Sequence, residues 1–507
     1  MLAKQQDRSQ HSLFFSLEST LNHKHPLFIL ANKIDWEMFE REFSPLYCPD
    51  NGRPAKPIRL MVGLLILKHI RDLSDESVVE QWSENNYYQY FCGEQEFQPR
   101  VPCEASELVH FRHRIGKEGV ELILRESIRI NGKDSNDKDV YIDTTVQEKN
   151  ITFPTDDKLA KKIIKRCWKI ADRNSLDLRQ SYTRILKDLS YDQRFRNHPR
   201  NRGKARKADK KVRTIAGRLV RDVERKLGTM VDGYRNELDL YKRVLAQKKK
   251  DKNKIYSLHE VDVQCISKGK EHKLYEFGNK VSITRTGTGV IVGALSFRNE
   301  FDGHILDKAI EQVEKLTERK PRNGICERSY RGRSKVRDTL IHIPKSFKKA
   351  LSTYRKNKER KYFRKRAGIE PVIEHLKEDH RLSRNYYKGI TGDEINVMPA
   401  AAGFNFKRMM NKWKSSFEPV LTPIFDSLHA CIHTKLTAEG LQRTKDVLEE
   451  ANPTRSREYP TSILTRVLIG TTLCLAKTSI ICGLSCLAPS HKIQTWGKMI
   501  TITSIEL

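Results

Sequence analysis

Three short segments carry acids in a fixed order: Tyr141-Ile142-Asp143-Thr144-Thr145, Cys326-Glu327-Arg328-Ser329-Tyr330-Arg331-Gly332, and Ile369-Glu370-Pro371-Val372-Ile373-Glu374-His375-Leu376-Lys377. Carboxylates drawn together from two strand ends and a helix can hold divalent cations. A pair of such ions about 4 Å apart activates a nucleophile on one side of a phosphodiester and stabilises the departing oxygen on the other. Asp143, Glu327 and Glu370 are therefore the candidate ligands, for two ions of Mg2+ or Mn2+. Taken singly, each reads as an ordinary strand-end or surface acid; their order and the spacing around the third point to the shared site. Arg366 and Lys377 stand four before and seven after Glu370, on its helical face, where they can meet phosphates beside the cut. Pro371 is best tolerated in a first turn, which predicts a helix beginning near Glu370 and leaves Arg366 in a loop. His375 and His380, beside Glu374 and Asp379, have no cysteine partners at the spacing of a closed zinc site.

The elements around these segments determine whether the acids can meet. Asp139 to Asp143 reads as a short strand ending on its acid, and alternation resumes over Val261 to Ser267, Lys273 to Thr284 and Gly289 to Phe297. Ile305, Ala309, Ile310, Val313 and Leu316 mark one amphipathic helix, Ile325-Cys326 a brief strand running into Glu327, and Thr339 to Ile343 another. Ile369, Val372, Ile373 and Leu376 form the core stripe of the helix carrying Glu370. Three strands, a helix, a strand and a later helix is the order of a mixed α/β, ribonuclease-H-like fold. Its first and fourth strands lie side by side, which would bring Asp143 beside Glu327 with Glu370 over them.

Composition supplies the rest of the organisation. The 507 residues carry a formal charge of +31, which implies a polyanionic partner because so much like charge otherwise works against compactness. From Lys158 to Lys254 there are 32 Lys/Arg against 11 Asp/Glu, so most of the surplus sits in under a fifth of the chain. Helical spacing runs through that stretch (Ile163, Ile164, Trp168; Ile215, Leu219, Val223, Leu227). The division expected is a helical DNA-binding segment over 1–130, a catalytic domain over 135–157 and 256–414, a basic helical insertion over 158–255 that contacts phosphates, and a tail over 415–507 with no assigned role. Tyr87, Tyr88, Tyr90, Phe91 and Trp168 are aromatics that either pack in helical cores or stack on bases. Ten cysteines without a C-x-x-C pair read as reduced thiols. Met1 to Thr20 lacks an export signal, and Arg466 and Lys477 interrupt the uncharged runs near the C-terminus, so a cytoplasmic protein without a membrane partner is expected.

The chain resembles the DDE transposases of bacterial insertion sequences, specifically the family-five group, from about Leu27 to Lys414. That family's third signature is Tyr, two residues, Arg, three residues, Glu, six residues, Lys. Arg366, Glu370 and Lys377 fall on that spacing, with Phe363 at the Tyr position and Tyr362 beside it. Phe301-Asp302-Gly303-His304 is similar to the family's turn before its helix. The resemblance implies a metal-dependent transposase that binds the inverted repeats at the ends of an element, cuts them and joins them to target DNA. It implies Asp143, Glu327 and Glu370 as the catalytic acids, DNA contacts by Arg366, Lys377, Arg328, Tyr330 and Arg331, a homo-oligomeric synapse, and association with the nucleoid. The second segment departs from the usual Asp-Arg-Gly-Tyr-Arg-Gly: Glu327 sets its carboxylate one bond further out, and Ser329 would strain the backbone if its φ were positive. Two alternatives stay open, a catalytically impaired DNA-binding descendant and a metal-dependent nuclease without strand transfer.

Overall fold

The β-branched and aromatic residues Val140, Tyr141, Ile142, Thr144, Thr145 and Val146 favour an extended chain, and Asp139–Lys149 (β1) is an eleven-residue strand, not one that stops at Asp143. The reason lies in its neighbours. On one side β1 pairs antiparallel with Tyr275–Thr286 (β3), from Val140 opposite Thr286 to Glu148 opposite Gly278. On the other side it pairs parallel with Asn323–Ile325 (β5) only from Asp139 to Tyr141. One neighbour leaves where the other continues, so Asp143 occupies the middle of a strand with a one-sided ladder. Gln264–Ser267 (β2) and Ile291–Phe297 (β4) both pair antiparallel with β3; Thr339–His342 (β7) lies parallel to β5, and Lys335–Val336 (β6) forms a hairpin with it. Arg384–Asn385 (β8) pairs with the far end of β1. The result is one mixed sheet in a mixed α/β chain, with Asp143's strand directly beside the strand that leads into Glu327.

The computed structural model describes residues 16–48, 50–248, 251–267, 273–344 and 352–415, all within one compact unit. The tail beyond Ser415 lies outside the described residues. Among the described residues seven α-helices precede the sheet: Leu17–Thr20 (α1), Pro26–Lys33 (α2), Trp36–Phe43 (α3), Ile58–Ile70 (α4), Asp75–Glu84 (α5), Asn86–Phe91 (α6) and Ala105–Asn131 (α7). Side-chain caps set their starts: Asp35 accepts from the Met38 N–H at 3.0 Å, and Ser74 from the Ser77 N–H at 3.0 Å. Helix α4 is buried on nearly every side, including Lys68 and His69. Lys68 is neutralised by Asp75 at 2.7 Å, and Asp75 also takes both ends of the Arg112 guanidinium. A helical run over 389–415 crosses α4 so closely that a Cβ on Gly403 would stand 2.9 Å from His69. These helices, the sheet and the 389–415 run share one continuous apolar core. Tyr88 and Phe91 lie in that core, while Tyr87 and Tyr90 stack on His25 and Phe28, so packing within the protein occupies these rings.

The basic stretch forms Asp156–Arg173 (α8), Thr183–Asp192 (α9), Arg202–Leu227 (α10) and Arg235–Ala246 (α11), packed around an apolar cluster of their own. Trp168 is half-buried against that cluster. Leu306–Thr317 (α12) covers β4 with Ala309, Ile310, Val313 and Leu316 buried. Thr353–Ala367 (α13) and Ile369–Asp379 (α14) abut at Gly368, the latter burying Ile369, Val372 and Leu376.

Candidate active site

Glu327 follows Cys326 and Ile325 out of β5, two residues past the last pairing with Tyr141, just as Asp143 lies two residues past it on β1. The register therefore delivers both acids to the same edge of the sheet. Arg366 joins them: its Nη2 donates to Asp143 Oδ2 at 3.1 Å and stands 3.8 Å from Glu327 Oε1. Asp143 Oδ1 also accepts the Thr144 N–H at 2.9 Å. The two acids differ in setting. Asp143 is buried, and burial pushes its carboxyl above the usual range, with Arg366 opposing the rise and Glu327 adding to it. The Glu327 side chain is 49% exposed, so one wall of the site is open to solvent.

Arg366 belongs to the last turn of α13, not to a loop. Gly368 takes helical angles, so α13 runs almost directly into α14, and Pro371 still falls in the first turn of the second helix. The placement of Arg366 rests on Arg285 of β3, which sequence reasoning missed. Arg285 Nη2 donates to the Lys365 carbonyl at 2.5 Å, and its guanidinium lies over the Tyr141 ring at 5.5 Å from the centroid. A Cβ on Gly368 would come within 2.7 Å of the same nitrogen. Only the basic side chain within an apolar strand hinted at this role.

Glu370 does not join the pair in this structure. It sits exposed in the first turn of α14, and among the described residues no three His, Cys, Asp or Glu side chains are grouped as a metal site. The guanidinium of Arg366 fills the position between the other two acids. Lys377 is half-buried further along α14. Arg328 and Arg331 are exposed and, with Arg333, Ser334, Ile343 and Pro344, line a shallow pocket that begins next to Glu327. Tyr330, expected at DNA, is instead sealed in the core with Ile142, Phe297, Ile305 and Cys326, and no external ligand can reach it. The turn over Arg328–Tyr330 draws the ring inward, and burial pushes its hydroxyl well above the usual range. Ser329 is not among the residues of positive φ, so the strain expected from replacing a glycine does not arise. Asp302 accepts from Thr144 Oγ1 at 3.2 Å and from Lys280 Nζ at 2.8 Å, tying the turn before α12 to β1 and β3.

Unsatisfied polar atoms collect here. The Arg366 Nε and the Ser329 Oγ are both buried without a well-formed hydrogen bond. Such groups are uncommon in folded proteins and mark places completed by a ligand, an ion or water.

Residues 15–114, which span the N-terminal helices into the first part of α7, match a transposase domain family (DUF772). An uncharacterized protein, ORF8 in the nfe locus of Rhizobium meliloti, is 41% identical over 189 residues, covering 36% of this chain and 91% of that protein. No solved structure matches the chain. Among the described residues no helix is long and apolar enough to cross a membrane. The chain thus shares a family with that Rhizobium meliloti protein, and the transposase domain across its N-terminal helices supports a transposase-family protein.

Proposed function

We propose that this protein is a DDE-type insertion-sequence transposase of the family-five kind, which binds the ends of its element and performs metal-dependent cleavage and strand transfer on duplex DNA. The observation that carries the reading is the convergence of Asp143 and Glu327 on one cationic group at the edge where β5 leaves β1. The sheet supports a ribonuclease-H-like core: β1, β3 and β4 pair antiparallel in chain order, with the short β2 added on β3, then come α12 and the strands β5 and β7 parallel to β1 on its other side.

The donor set suits a hard cation. Mg2+ is commonly held by one or two carboxylates, with waters and substrate phosphates completing its octahedron. Asp143 and Glu327 supply two carboxylates, the guanidinium between them stands in for positive charge, and exposed Glu370, one turn beyond Arg366, would be the third donor. When bound, the cation would polarise a phosphodiester and lower the pKa of the attacking hydroxyl or water.

The chain's own groups have distinct tasks. Arg366, once turned from the acids, would meet the phosphate being cut. Exposed Arg328 and Arg331 and half-buried Lys377 would hold the strand on either side of it. Helix α13 would lead the duplex toward the site, since it carries eight Lys/Arg, one Glu and no buried residue. Two ends must be held for joining, so the working form would be a homo-oligomer on nucleoid DNA.

The test is incubation of the full chain with a labelled fragment carrying the DNA that flanks its coding region, with Mg2+ or Mn2+. Nicking at the element ends that disappears in Asp143→Asn supports the proposal. End binding without any cutting would favour the impaired DNA-binding descendant, and cutting without joining the plain nuclease.

A further inference from the structure

Away from the acid pair, α10 presents a row of cations on one face: Lys207, Lys210, Lys211, Arg218 and Arg221. They follow the helical spacing that keeps side chains on a common side. The segment before α9 brings Arg179 and Gln180 against the same face, forming a groove along the helix. The groove is built in advance of any ligand. Asp222, on α10, accepts the Arg179 N–H at 3.1 Å, and Lys226 donates to the Asp177 carbonyl, so the segment is fastened to α10. Arg225 is used up internally by Asp222 at 2.6 Å. The other six cations (Lys207, Lys210, Lys211, Arg218, Arg221 and Arg179) are exposed and have no acidic partner among the described residues.

We propose that this groove is a second, sequence-independent binding surface for the backbone of duplex DNA. Geometry selects a linear polyanion: from Lys207 to Arg221 the helix advances about 21 Å at 1.5 Å per residue. Each strand of a duplex presents about six phosphates over such a length. Five cations along the helix, with Arg179 beside them, extend over that length, whereas an isolated phosphate group would need them to converge. Tyr182 is the one aromatic ring in the groove, so the stacking platform that single strands require is missing. The surface takes its partner class from the functional reading but is independent of the acid pair.

The experiment is fluorescence anisotropy of the full chain on a labelled duplex of arbitrary sequence across a salt series. Each phosphate contact contributes about 0.9 to the slope of log affinity against log salt. The quadruple variant Lys207→Ala, Lys210→Ala, Lys211→Ala and Arg218→Ala should therefore flatten that slope by about 3 to 4. A charge-conserving counterpart, with the three lysines changed to Arg and Arg218→Lys, should keep it. An unchanged slope in the alanine variant overturns the proposal, as does an equal loss in the charge-conserving one, which would mean a structural role. Tighter binding of a single strand or of anionic vesicles through the same residues would also overturn it. Asp143, Glu327 and Arg366 are untouched throughout, so failure here leaves the proposed cleavage site standing, and loss of end nicking by Asp143→Asn remains a separate test.

Discussion

Arg366→Ala should weaken the protein without divalent cations and tighten its grip on them. The guanidinium is 12% exposed and lies 3.1 Å from Asp143, whose side chain is 8% exposed. At an effective dielectric of about 20, that separation corresponds to roughly 5 kcal/mol of attraction before desolvation is counted. Removing one member of a buried pair typically costs about 3–5 kcal/mol, because the remaining charge is left in a poorly solvated place. A divalent ion entering the wild-type site must displace this contact, and a charge-assisted hydrogen bond is worth about 1.5–3 kcal/mol net. Relieving that competition should raise Mn2+ affinity between about tenfold and a hundredfold. Calorimetric titration of Mn2+ into the wild type, Arg366→Ala and Arg366→Lys measures the difference, with urea unfolding giving the apo stabilities. Equal or weaker Mn2+ binding by the alanine variant refutes the idea that Arg366 occupies the cation's position. In that case the contact is a permanent structural pair.

Glu327→Asp shortens the side chain by about 1.5 Å and takes its carboxylate out of reach of Arg366, which it already meets only at 3.8 Å. Mn2+-dependent nicking should fall, and an increase would show that the site had not adapted to Glu. Arg285→Ala removes the donor to the Lys365 carbonyl beneath the α13–α14 junction. It should cost about 1–3 kcal/mol in urea unfolding and lower the nicking rate with duplex affinity unchanged; an unaltered rate would remove Arg285 as a positioning residue. His69 and His380 exchange backbone contacts in the core, His380 Nδ1 meeting the His69 carbonyl at 2.7 Å. Burial lowers His380 to about 4 and His69 well below its ordinary value. Both are neutral in the fold, so the unfolded chain takes up protons first as pH drops below about 6.5. Their contribution is whole above that pH and is lost toward pH 4, by about 3 kcal/mol for His380. Unfolding free energies measured across this window should fall less steeply in His380→Gln; an unchanged pH slope would place the acid sensitivity elsewhere.

Much of the sheet was legible because its strands are rich in β-branched and aromatic residues and bounded by turn residues, signals that survive without knowledge of partners. The adjacency of Asp143's strand and Glu327's strand followed from element order alone. What could not be read was pairing. Asp143 lies in mid-strand because β3 continues beside it after β5 has left, and nothing in Thr144-Thr145-Val146 says which neighbour departs. Tyr330 was expected at DNA from the family resemblance, yet a short turn is enough to rotate one ring of such a segment into the core. Pro371 was read correctly as a first-turn residue, but it could not disclose that another helix ends two residues before α14 begins. Arg366 gained its place between the acids through that abutment, which Gly368 and Arg285 permit together.

The same contrast separates the two basic regions. A charge count located the cationic surplus in the 158–255 stretch, since charge is a property of residues and not of their arrangement. It could not tell cations spent inside the protein from cations left for a partner. Arg225 and Arg196 are paired with Asp222 and Asp209, and Arg213 with the carbonyls that end α11. Among the cations left over, those of α10 from Lys207 to Arg221 fall on one line along the helix. A line and a point demand different anions. The α10 row suits a long regular polyanion held without regard to sequence, while Arg366, between two carboxylates, suits a single phosphate at the place of chemistry. The proposed function, holding a duplex and then cutting it at one bond, would use both, and the salt-slope and Mn2+ titrations separate them because neither set of substitutions touches the other region.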